Sequence, residues 1–484
     1  MSSRSTARSA VYSVWNLPLL ARRRSTCVQV VLLALTAGLG FLATAAAFAP
    51  GYMSTDTLFQ LSQALGKTEL NDWHPPVMSL LWRGLIAATG SIASMAVLQE
   101  FIFWLSLWIL STVVLRCTAS LRWAMSTYAL ALSPAILTFV GVVWKDVQMA
   151  FALLAVAAVC LLLPGCRNRP LIKWTLFTLG VVLLAYAALV RKNALFAMLP
   201  LLVLLFWATF ERPTRSQLVV GSLAFAVALA VPTVAISAVA KPVQTHQVTQ
   251  VMLDDLLHVM SPQELSRVEA PRPLQEKLSS AARACREKKV LMNTYWDCYG
   301  KGLRGSFSAV AYPDEIVAVW SKEMPRHVSG YLQYRARLFT DMLFQNRYFF
   351  RAGVQANKLG VAVERPMVRD ALKSYVMGSQ RDLPWLFSGW LWLALNVYLA
   401  VRRGAAPFRW PIRLLGASGA LYIIGYFPIV PLTDFRYVYW SVISGSVGLF
   451  LVVLSRFATH PAAQRAGGRL HADGTLEGPA VGRP

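Results

Sequence analysis

The sequence predicts an all-α polytopic membrane protein with about ten transmembrane helices, on the grounds of its composition and its long apolar blocks. Of the 484 residues, 56% are hydrophobic and 14% are charged, whereas soluble chains carry roughly 45–50% apolar and about 25% charged residues. The apolar excess is concentrated in blocks near the length of about 20 residues that one bilayer-crossing helix needs. A chain built only from soluble domains is therefore excluded.

The ten apolar blocks alternate with basic clusters. They lie at about 28–49, 92–115, 123–143, 147–163, 174–190, 194–210, 217–240, 384–401, 412–430 and 438–457. Three arginines, Arg22, Arg23 and Arg24, precede the first block. Alternation then places on the same side Arg116 and Arg122, Arg167, Arg169 and Lys173, Arg212 and Arg215, and Arg402, Arg403, Arg409 and Arg413. Because positive residues favour cytoplasmic loops, both termini are predicted to be cytoplasmic.

Two segments need a separate interpretation. The apolar stretch 76–90 is short for a span and carries Arg83, and counting it as a span would place every later basic cluster outside. We predict an interfacial or re-entrant helix on the outer side. Residues 45–50 resemble a signal-peptidase site, but the preceding apolar run exceeds the roughly 7–15 residues of a signal peptide, which favours an uncleaved anchor.

The predicted organisation has five parts. Residues 1–27 form a basic cytoplasmic segment, and 28–240 a transmembrane module with its first outer loop at 50–91. Residues 241–383 form a large, mainly helical soluble domain on the outer side, 384–457 the C-terminal transmembrane helices, and 458–484 a disordered cytoplasmic tail. Within the outer domain, 317–350 has the spacing of one amphipathic helix. In that domain Cys285 and Cys298 either form a disulfide, as an oxidising compartment allows, or are two buried thiols.

The carboxylates indicate where chemistry would occur. Five of the nine acidic residues outside 241–383 fall on the predicted outer side, near the ends of different spans: Asp56, Glu69, Asp72, Asp146 and Asp434. Carboxylates near hydrocarbon are costly and are usually functional or paired. The outer membrane face is therefore the predicted location of a site.

The first outer loop holds three candidates. Asp56 could act as general base toward a hydroxyl, or it could cap a helix together with Ser54 and Thr55. Asp72 and His74 precede Pro75 and Pro76 and open the short helix. His74 could hydrogen-bond a phosphate or orient a carboxylate, or it could be an interfacial histidine at a capped helix start.

Three short outer turns supply the other candidates. Lys145 and Asp146 form one turn, in which an ion pair is the alternative to function. Arg191, Lys192 and Asn193 form a second, whose two cations defy the positive-inside tendency and suggest an anionic partner. Asp434, Arg436 and Tyr437 lie in the third, where Arg436 could bind phosphate oxygens or pair with Asp434.

At these residues the chain resembles the GT-C superfamily of membrane glycosyltransferases, which includes the protein O-mannosyltransferases and the bacterial aminoarabinose transferases. Asp56 followed by His74-Pro75-Pro76 matches the order of the family's first outer loop, and Asp146 matches a second carboxylate in a short outer loop. Segments 191–193 and 434–437 look like the Arg-x-Asn and Arg-Tyr segments of bacterial members. Segment 241–383 matches no accessory domain of the family.

The resemblance implies transfer of a sugar from a polyprenyl-phosphate donor to a lipid or glycan acceptor, at the periplasmic face of a bacterial inner membrane. Asp56 and Asp146 would be catalytic. Substrate would be bound by Asp72, His74, Lys145, Arg191, Lys192, Asn193, Asp434, Arg436 and Tyr437. No cofactor is required; a divalent metal is possible, but the six histidines show no ligand spacing. The net charge of +24 lies largely between apolar blocks and favours membrane lipids over nucleic acid as partners.

Two alternatives remain open. A transporter or flippase of an anionic polyprenyl lipid predicts charges within the membrane and repeat symmetry; the chain has Glu100 in its second apolar block and no clear repeat. An O-antigen ligase or polymerase also uses polyprenyl-linked sugars and a large outer loop, but looks different around the first outer loop.

Overall fold

The computed structural model describes residues 24–210, 214–300, 307–344, 350–403, 408–430 and 432–457. Across these ranges the chain is all-helical, and its β structure is limited to three isolated bridges. The prediction of an all-α chain is confirmed. Most of the predicted N-terminal basic segment and the whole predicted tail at 458–484 lie outside the described residues.

The helices follow one another with short connections. They are α1 Arg24–Phe48, α2 Thr55–Ala64, α3 Pro76–Thr89, α4 Ser94–Thr118, α5 Leu121–Ser126, α6 Pro134–Val140, α7 Lys145–Leu162, α8 Pro170–Val190, α9 Ala194–Phe210, α10 Arg215–Ala235, α11 Gln247–Val259, α12 Pro262–Leu265, α13 Arg272–Glu287, α14 Pro313–Glu323, α15 Val328–Phe344, α16 Pro366–Asp382, α17 Gly389–Val401, α18 Arg409–Ile424 and α19 Tyr439–Leu454.

Six helices in the described part of the chain are long and apolar enough to cross a membrane. They are Thr26–Phe48, Ser94–Thr118, Lys145–Cys166, Pro170–Val190, Arg215–Ala240 and Phe435–Leu454. Each coincides with one of the predicted blocks. Several apolar helices of this length are consistent with a multi-pass membrane protein.

The other four predicted blocks are also helical, but are broken or shorter. Leu121–Leu132 and Pro134–Val140 form a pair bent by 66°, because Pro134 lacks an N–H and disfavours helix at the residue before it. α9, α18 and α17 have 17, 16 and 13 residues. At about 1.5 Å per residue, the shortest of these spans about 20 Å, less than the roughly 30 Å of a hydrocarbon core.

The short helix predicted at 76–90 is present as α3. It has 14 residues, starts with Pro76 in its first turn and ends before Gly90, whose φ is +70°. Proline suits a helix start because its missing N–H would be unpaired there anyway, and glycine tolerates the left-handed conformation that ends a helix. Its length suits a helix that lies beside the membrane core better than one that crosses it.

The largest hydrophobic core lies among the long helices, around α7. In the span that begins with α7, 83% of the most apolar stretch is buried, against 11% for α1 and 6% for α10. α7 packs against α4, α8, α9 and α19. The residue that opens α7, Lys145, is therefore held at the end of the best-buried helix of the bundle.

A glycine allows α17 and α18 to approach each other closely. A Cβ added at Gly416 would lie 2.6 Å from the backbone oxygen of Asn396 and 2.6 Å from the backbone nitrogen of Ala400. Such distances are shorter than any van der Waals contact, so only glycine permits this approach.

The predicted outer segment has its own hydrophobic core. α11, α13 and α14 contribute Leu253, Leu256, Leu274, Leu278 and Ile316, each fully buried. Beside this core, Arg335 pairs with Asp255 at 2.6 Å, and both side chains are at most 2% exposed. Cys285 and Cys298 are joined by a disulfide.

The prediction of one amphipathic helix over 317–350 was wrong in its continuity. α14 ends at Glu323, a 3-10 turn covers Met324–Arg326, and α15 begins at Val328. Pro325 causes the break, since it has no N–H to donate and its ring clashes with the preceding turn. Residues 345–349 lie outside the described ranges.

Two of the bridges tie the first outer loop to the outer segment. Asn71 pairs with Val243, and Met53 pairs with Val354, while the third bridge joins Tyr52 to Val142 next to α7. Each side of α2 is thereby fixed to a distant part of the chain.

Candidate functional site

The start of α2 lies close to the ends of three other helices, α7, α8 and α19. Asp56 lies in the first turn of α2, Lys145 and Asp146 open α7, Arg191 ends α8, and Arg436 precedes α19. Alternating spans were predicted to bring these residues to one face, and the described contacts do bring their side chains together. The cluster contains three cations and, with Asp434, three carboxylates.

Asp56 and Arg436 form the central ion pair. One Arg436 Nη lies 3.1 Å from a carboxylate oxygen of Asp56, although 380 residues separate the two in sequence. Arg436 Nε lies 3.5 Å from the Asp434 carboxylate, which also accepts a 3.0 Å bond from the Arg436 backbone N–H. Arg436 therefore pairs with Asp434, one of the two alternatives that the sequence left open, and in addition with Asp56.

Asp56 remains accessible while paired. About 42% of its side chain is exposed, against 15% for Arg436. Burial is the largest single effect and raises the pKa of the Asp56 carboxyl, but the neighbouring positive charges, that of Arg436 first, together outweigh it and hold that pKa below its ordinary value. Asp56 is therefore ionised at neutral pH and can accept a hydrogen bond from a hydroxyl group.

Trp144, which the sequence analysis did not single out, forms one wall of the site. The Arg436 guanidinium lies 4.8 Å from the centre of its ring, within the range of a cation–π interaction. The Trp144 indole N–H donates to Ser54 Oγ at 2.8 Å. The indole thus fixes both the residue before α2 and the arginine that pairs with Asp56.

Arg191 is held by a second ion pair. It contacts Asp146 directly, and the two side chains are 11% and 1% exposed. Its Nε donates to Asn193 Oδ1 at 2.9 Å and to Tyr426 Oη at 3.1 Å. The Tyr437 ring lies 4.9 Å from its guanidinium carbon, so Arg191 is anchored from the segment between α18 and α19 as well as from α7.

Lys145 is the cation of the cluster that has no direct partner among the described residues. It makes no hydrogen bond and no ion pair with any residue that the structure describes, yet it is within electrostatic reach of both Asp56 and Asp146. Its charge is available to an anionic group that enters the site.

His74 lies behind Asp56 and is only 5% exposed. Its ring is 5.6 Å from that of Phe59, and its Nδ1 is buried without a hydrogen-bond partner among the described residues. Burial, assisted by the charge of Lys145, lowers the pKa of His74 from 6.5 to about 4. The imidazole is therefore neutral at physiological pH and keeps one ring nitrogen as an acceptor.

Two predicted substrate-binding residues are engaged elsewhere. The Asp72 carboxylate accepts from the Thr245 N–H at 2.6 Å and from its hydroxyl at 2.5 Å, so it ties the first outer loop to the outer segment. Lys192 is exposed, because the turn after α8 directs Arg191 into the cluster and its neighbour outward. Tyr437 and Asn193 do lie in the cluster, as supports of Arg191 and Arg436.

Sequence reasoning missed Trp144, Tyr426 and Gln355. The first two are aromatic residues in or near apolar blocks, where an aromatic side chain is ordinarily part of the core or the membrane interface, and no local spacing marked them. Gln355 lies in the irregular stretch before α16 and contacts Thr55, 300 residues away.

No group of three or more His, Cys, Asp or Glu side chains within the described ranges could hold a metal ion. What the arrangement offers chemically is an ionised, accessible carboxylate beside one free and two anchored cations. A comparison with protein-family models, with curated proteins and with solved structures finds no match to this chain.

Proposed function

We propose that the chain is an integral-membrane glycosyltransferase that transfers a sugar from a polyprenyl-phosphate donor to a hydroxyl of a cell-envelope acceptor. The observation that carries the proposal is the partly exposed Asp56 carboxylate, paired with Arg436 beside the unpaired Lys145 at the joined ends of long apolar helices. A base for a hydroxyl and cations for a phosphate are the two elements that this reaction needs.

The proposed reaction is a single displacement. The acceptor oxygen attacks the anomeric carbon and passes its proton to Asp56, while the bond between that carbon and the phosphate oxygen breaks. The leaving polyprenyl phosphate gains one negative charge, which Lys145, Arg436 and Arg191 stabilise. Attack on the face opposite the leaving group inverts the configuration, as in inverting glycosidases.

The Asp56–Arg436 pair gives donor binding a second effect. A phosphate that draws the guanidinium of Arg436 toward itself weakens its hold on Asp56. The pKa of that carboxyl then rises toward its ordinary value, which makes Asp56 a stronger base once the donor is bound. Asp146, which was predicted to be catalytic, is assigned here the role of holding Arg191.

The membrane arrangement belongs to the same proposal. Ten spans, with the broken and short helices completing the bundle, would place 241–383 and the cluster at the periplasmic face of a bacterial inner membrane, with both termini cytoplasmic. This orientation is supported by the basic clusters between the blocks, and the GT-C resemblance of the outer loops supports the activity.

Transfer of labelled sugar from a panel of polyprenyl-phosphate sugars, by purified protein in detergent, tests the proposal. We expect turnover by the wild type, none by Asp56→Asn, and a strong loss in Arg436→Ala, with both variants folded. Asp382→Asn, which removes a carboxylate from an exposed ion pair, is the matched control and keeps full activity.

Wild-type activity in Asp56→Asn would remove Asp56 as the base. Tight binding of polyprenyl phosphate without turnover of any donor would contradict the enzyme and favour a carrier or flippase. Extension of a lipid-linked glycan by further glycans, instead of transfer of one sugar, would favour a ligase or polymerase.

A further inference from the structure

The first turn of α2 receives its hydrogen-bond acceptor from the outer segment. Gln355 Oε1 accepts from the Thr55 N–H at 2.5 Å and from the Thr55 hydroxyl at 2.8 Å. The first N–H groups of a helix have no partner within the helix. Gln355 supplies one from 300 residues away.

The local capping residue is occupied elsewhere. Ser54 stands at the N-cap position of α2, but its side chain makes no capping hydrogen bond, because its oxygen accepts from the Trp144 indole at 2.8 Å. Ser, Thr, Asp or Asn at an N-cap ordinarily accepts from the N–H of the second or third helical residue. In this chain the first turn receives its side-chain acceptor from Gln355, at the N–H of Thr55, the first helical residue.

Gln355 is itself held in place. Its N–H donates to the Met53 carbonyl at 3.0 Å, and the Met53 N–H donates to the Gly353 carbonyl at 3.0 Å. On its far side, Asn357 Nδ2 donates to the Gln355 carbonyl at 2.9 Å, while Asn357 Oδ1 accepts from the Leu359 N–H at 2.9 Å. The acceptor is therefore carried by a segment pinned on both sides.

We propose that Gln355 is a positioning residue for Asp56: by capping α2 it fixes the carboxylate one residue further on against Arg436. This inference rests on the proposed function, since it assigns Asp56 a reaction to be positioned for. Fraying of the first turn would move Asp56 away from the 3.1 Å contact with Arg436, while Lys145 and the binding of phosphate would be unaffected.

Two substitutions of Gln355 distinguish the effect of its acceptor oxygen from the effect of the size of its side chain. Gln355→Met keeps the length and removes the acceptor, whereas Gln355→Glu retains it. We expect kcat to fall on the order of fivefold in Gln355→Met, as for the loss of an N-cap, with the KM for the donor unchanged. Gln355→Glu recovers most of this loss. Gln333→Met, on the exposed surface of α15, is the matched control.

The pH profile supplies a readout that a merely structural role would not change. The charged and titratable groups facing Asp56 are Arg436, His74 and Lys145, with Asp434 behind Arg436. Arg436 lowers the pKa of Asp56, so loosening their contact raises it. The acidic limb of the kcat/KM profile, which reports the enzyme before the donor binds, then moves to higher pH in Gln355→Met and returns in Gln355→Glu.

Hydrogen exchange of residues 55–64, measured on the same proteins, separates this inference from the proposed function. We expect faster exchange at the start of α2 in Gln355→Met alone. Unchanged exchange in that variant, or faster exchange with an unchanged kcat and pH profile, would overturn the positioning role. Absence of transfer by the wild type with every donor overturns the proposed function, whatever the exchange shows.

Discussion

The buried pair of Asp146 and Arg191 allows a quantitative test of the site's construction. Asp146→Asn keeps the shape of the side chain but leaves the guanidinium, 11% exposed, without its carboxylate. Removing one partner of a buried ion pair costs about 3–5 kcal/mol, whereas replacing both partners is often neutral. The Arg191 bonds to Asn193 and Tyr426 survive the substitution, so we expect a cost near the lower end, about 3 kcal/mol.

A double-mutant cycle measures the free energy of interaction between Asp146 and Arg191. Arg191→Met leaves the Asp146 carboxylate, 1% exposed, unpaired and should cost a similar amount, while the double variant, which leaves neither charge unpaired, should cost clearly less than the sum of the two single variants. The free energy of unfolding is measured by titration with sodium dodecyl sulfate in mixed micelles. Asp382→Asn, from an exposed pair, is the control and leaves stability unchanged.

Additive costs in the cycle, or wild-type stability in Asp146→Asn, would refute the reasoning. Activity separates the two roles considered for Asp146. If this carboxylate only holds Arg191, transfer falls in parallel in Asp146→Asn and Arg191→Met. A variant with normal stability and normal donor binding but no transfer would instead return Asp146 to a catalytic role.

Three further predictions concern the surroundings of the site. In the unfolded chain His74 binds a proton once the pH falls below its ordinary pKa of 6.5. In the folded chain the pKa of His74 is about 4, so it binds a proton only near that pH. Stability therefore falls as pH drops from about 7 to 4, by about 2 kcal/mol at pH 5, and His74→Gln should flatten this dependence in thermal unfolding at pH 7 and 5. Replacing Cys285 and Cys298 by serine should lower stability by about 3 kcal/mol; two thiols that react with an alkylating agent in the native wild type would show that no bridge is present. Gly416→Ala should lower the melting temperature because its Cβ meets backbone atoms at 2.6 Å, whereas Gly378→Ala, with nothing within 4 Å, should not.

The all-helical fold class and the grouping of helix ends on one face could be predicted from the sequence. Both depend only on composition and on the alternation of apolar blocks with basic loops. Each candidate turn lay at the end of an apolar block, and the alternation of blocks assigned Asp56, Lys145, Arg191 and Arg436 to one face. These are one-dimensional properties of the chain, and they require no knowledge of which helix touches which.

Pairing could not be predicted in the same way. Arg436 had an acidic neighbour two residues before it, and local spacing could not reveal that its guanidinium also reaches Asp56. Asp72 had the right residue type and the right loop, but its carboxylate is bound by Thr245, in a segment whose position no pattern indicated. The direction of Lys192 depends on where α8 ends, which is uncertain by several residues from sequence.

One error was avoidable. Pro325 lies inside the amphipathic pattern at 317–350, and a proline at that place predicts a break. The hydrophobic spacing continues across Pro325 because α14 and α15 both pack against α11. The continuous pattern therefore reflects a packing partner that the two helices share, and not one unbroken helix.

The separation of Asp56 from Arg436 in the chain has a consequence for biosynthesis. A ribosome that adds about 5–20 residues per second needs roughly 20–80 s to cover the 380 residues between them. During that interval Asp56 has left the ribosome without its counter-ion, and Gln355 is made only in the later part of it. A nascent chain therefore acquires this ion pair only when the segment before α19 has been made, and any fragment that stops before residue 436 lacks the Asp56–Arg436 contact.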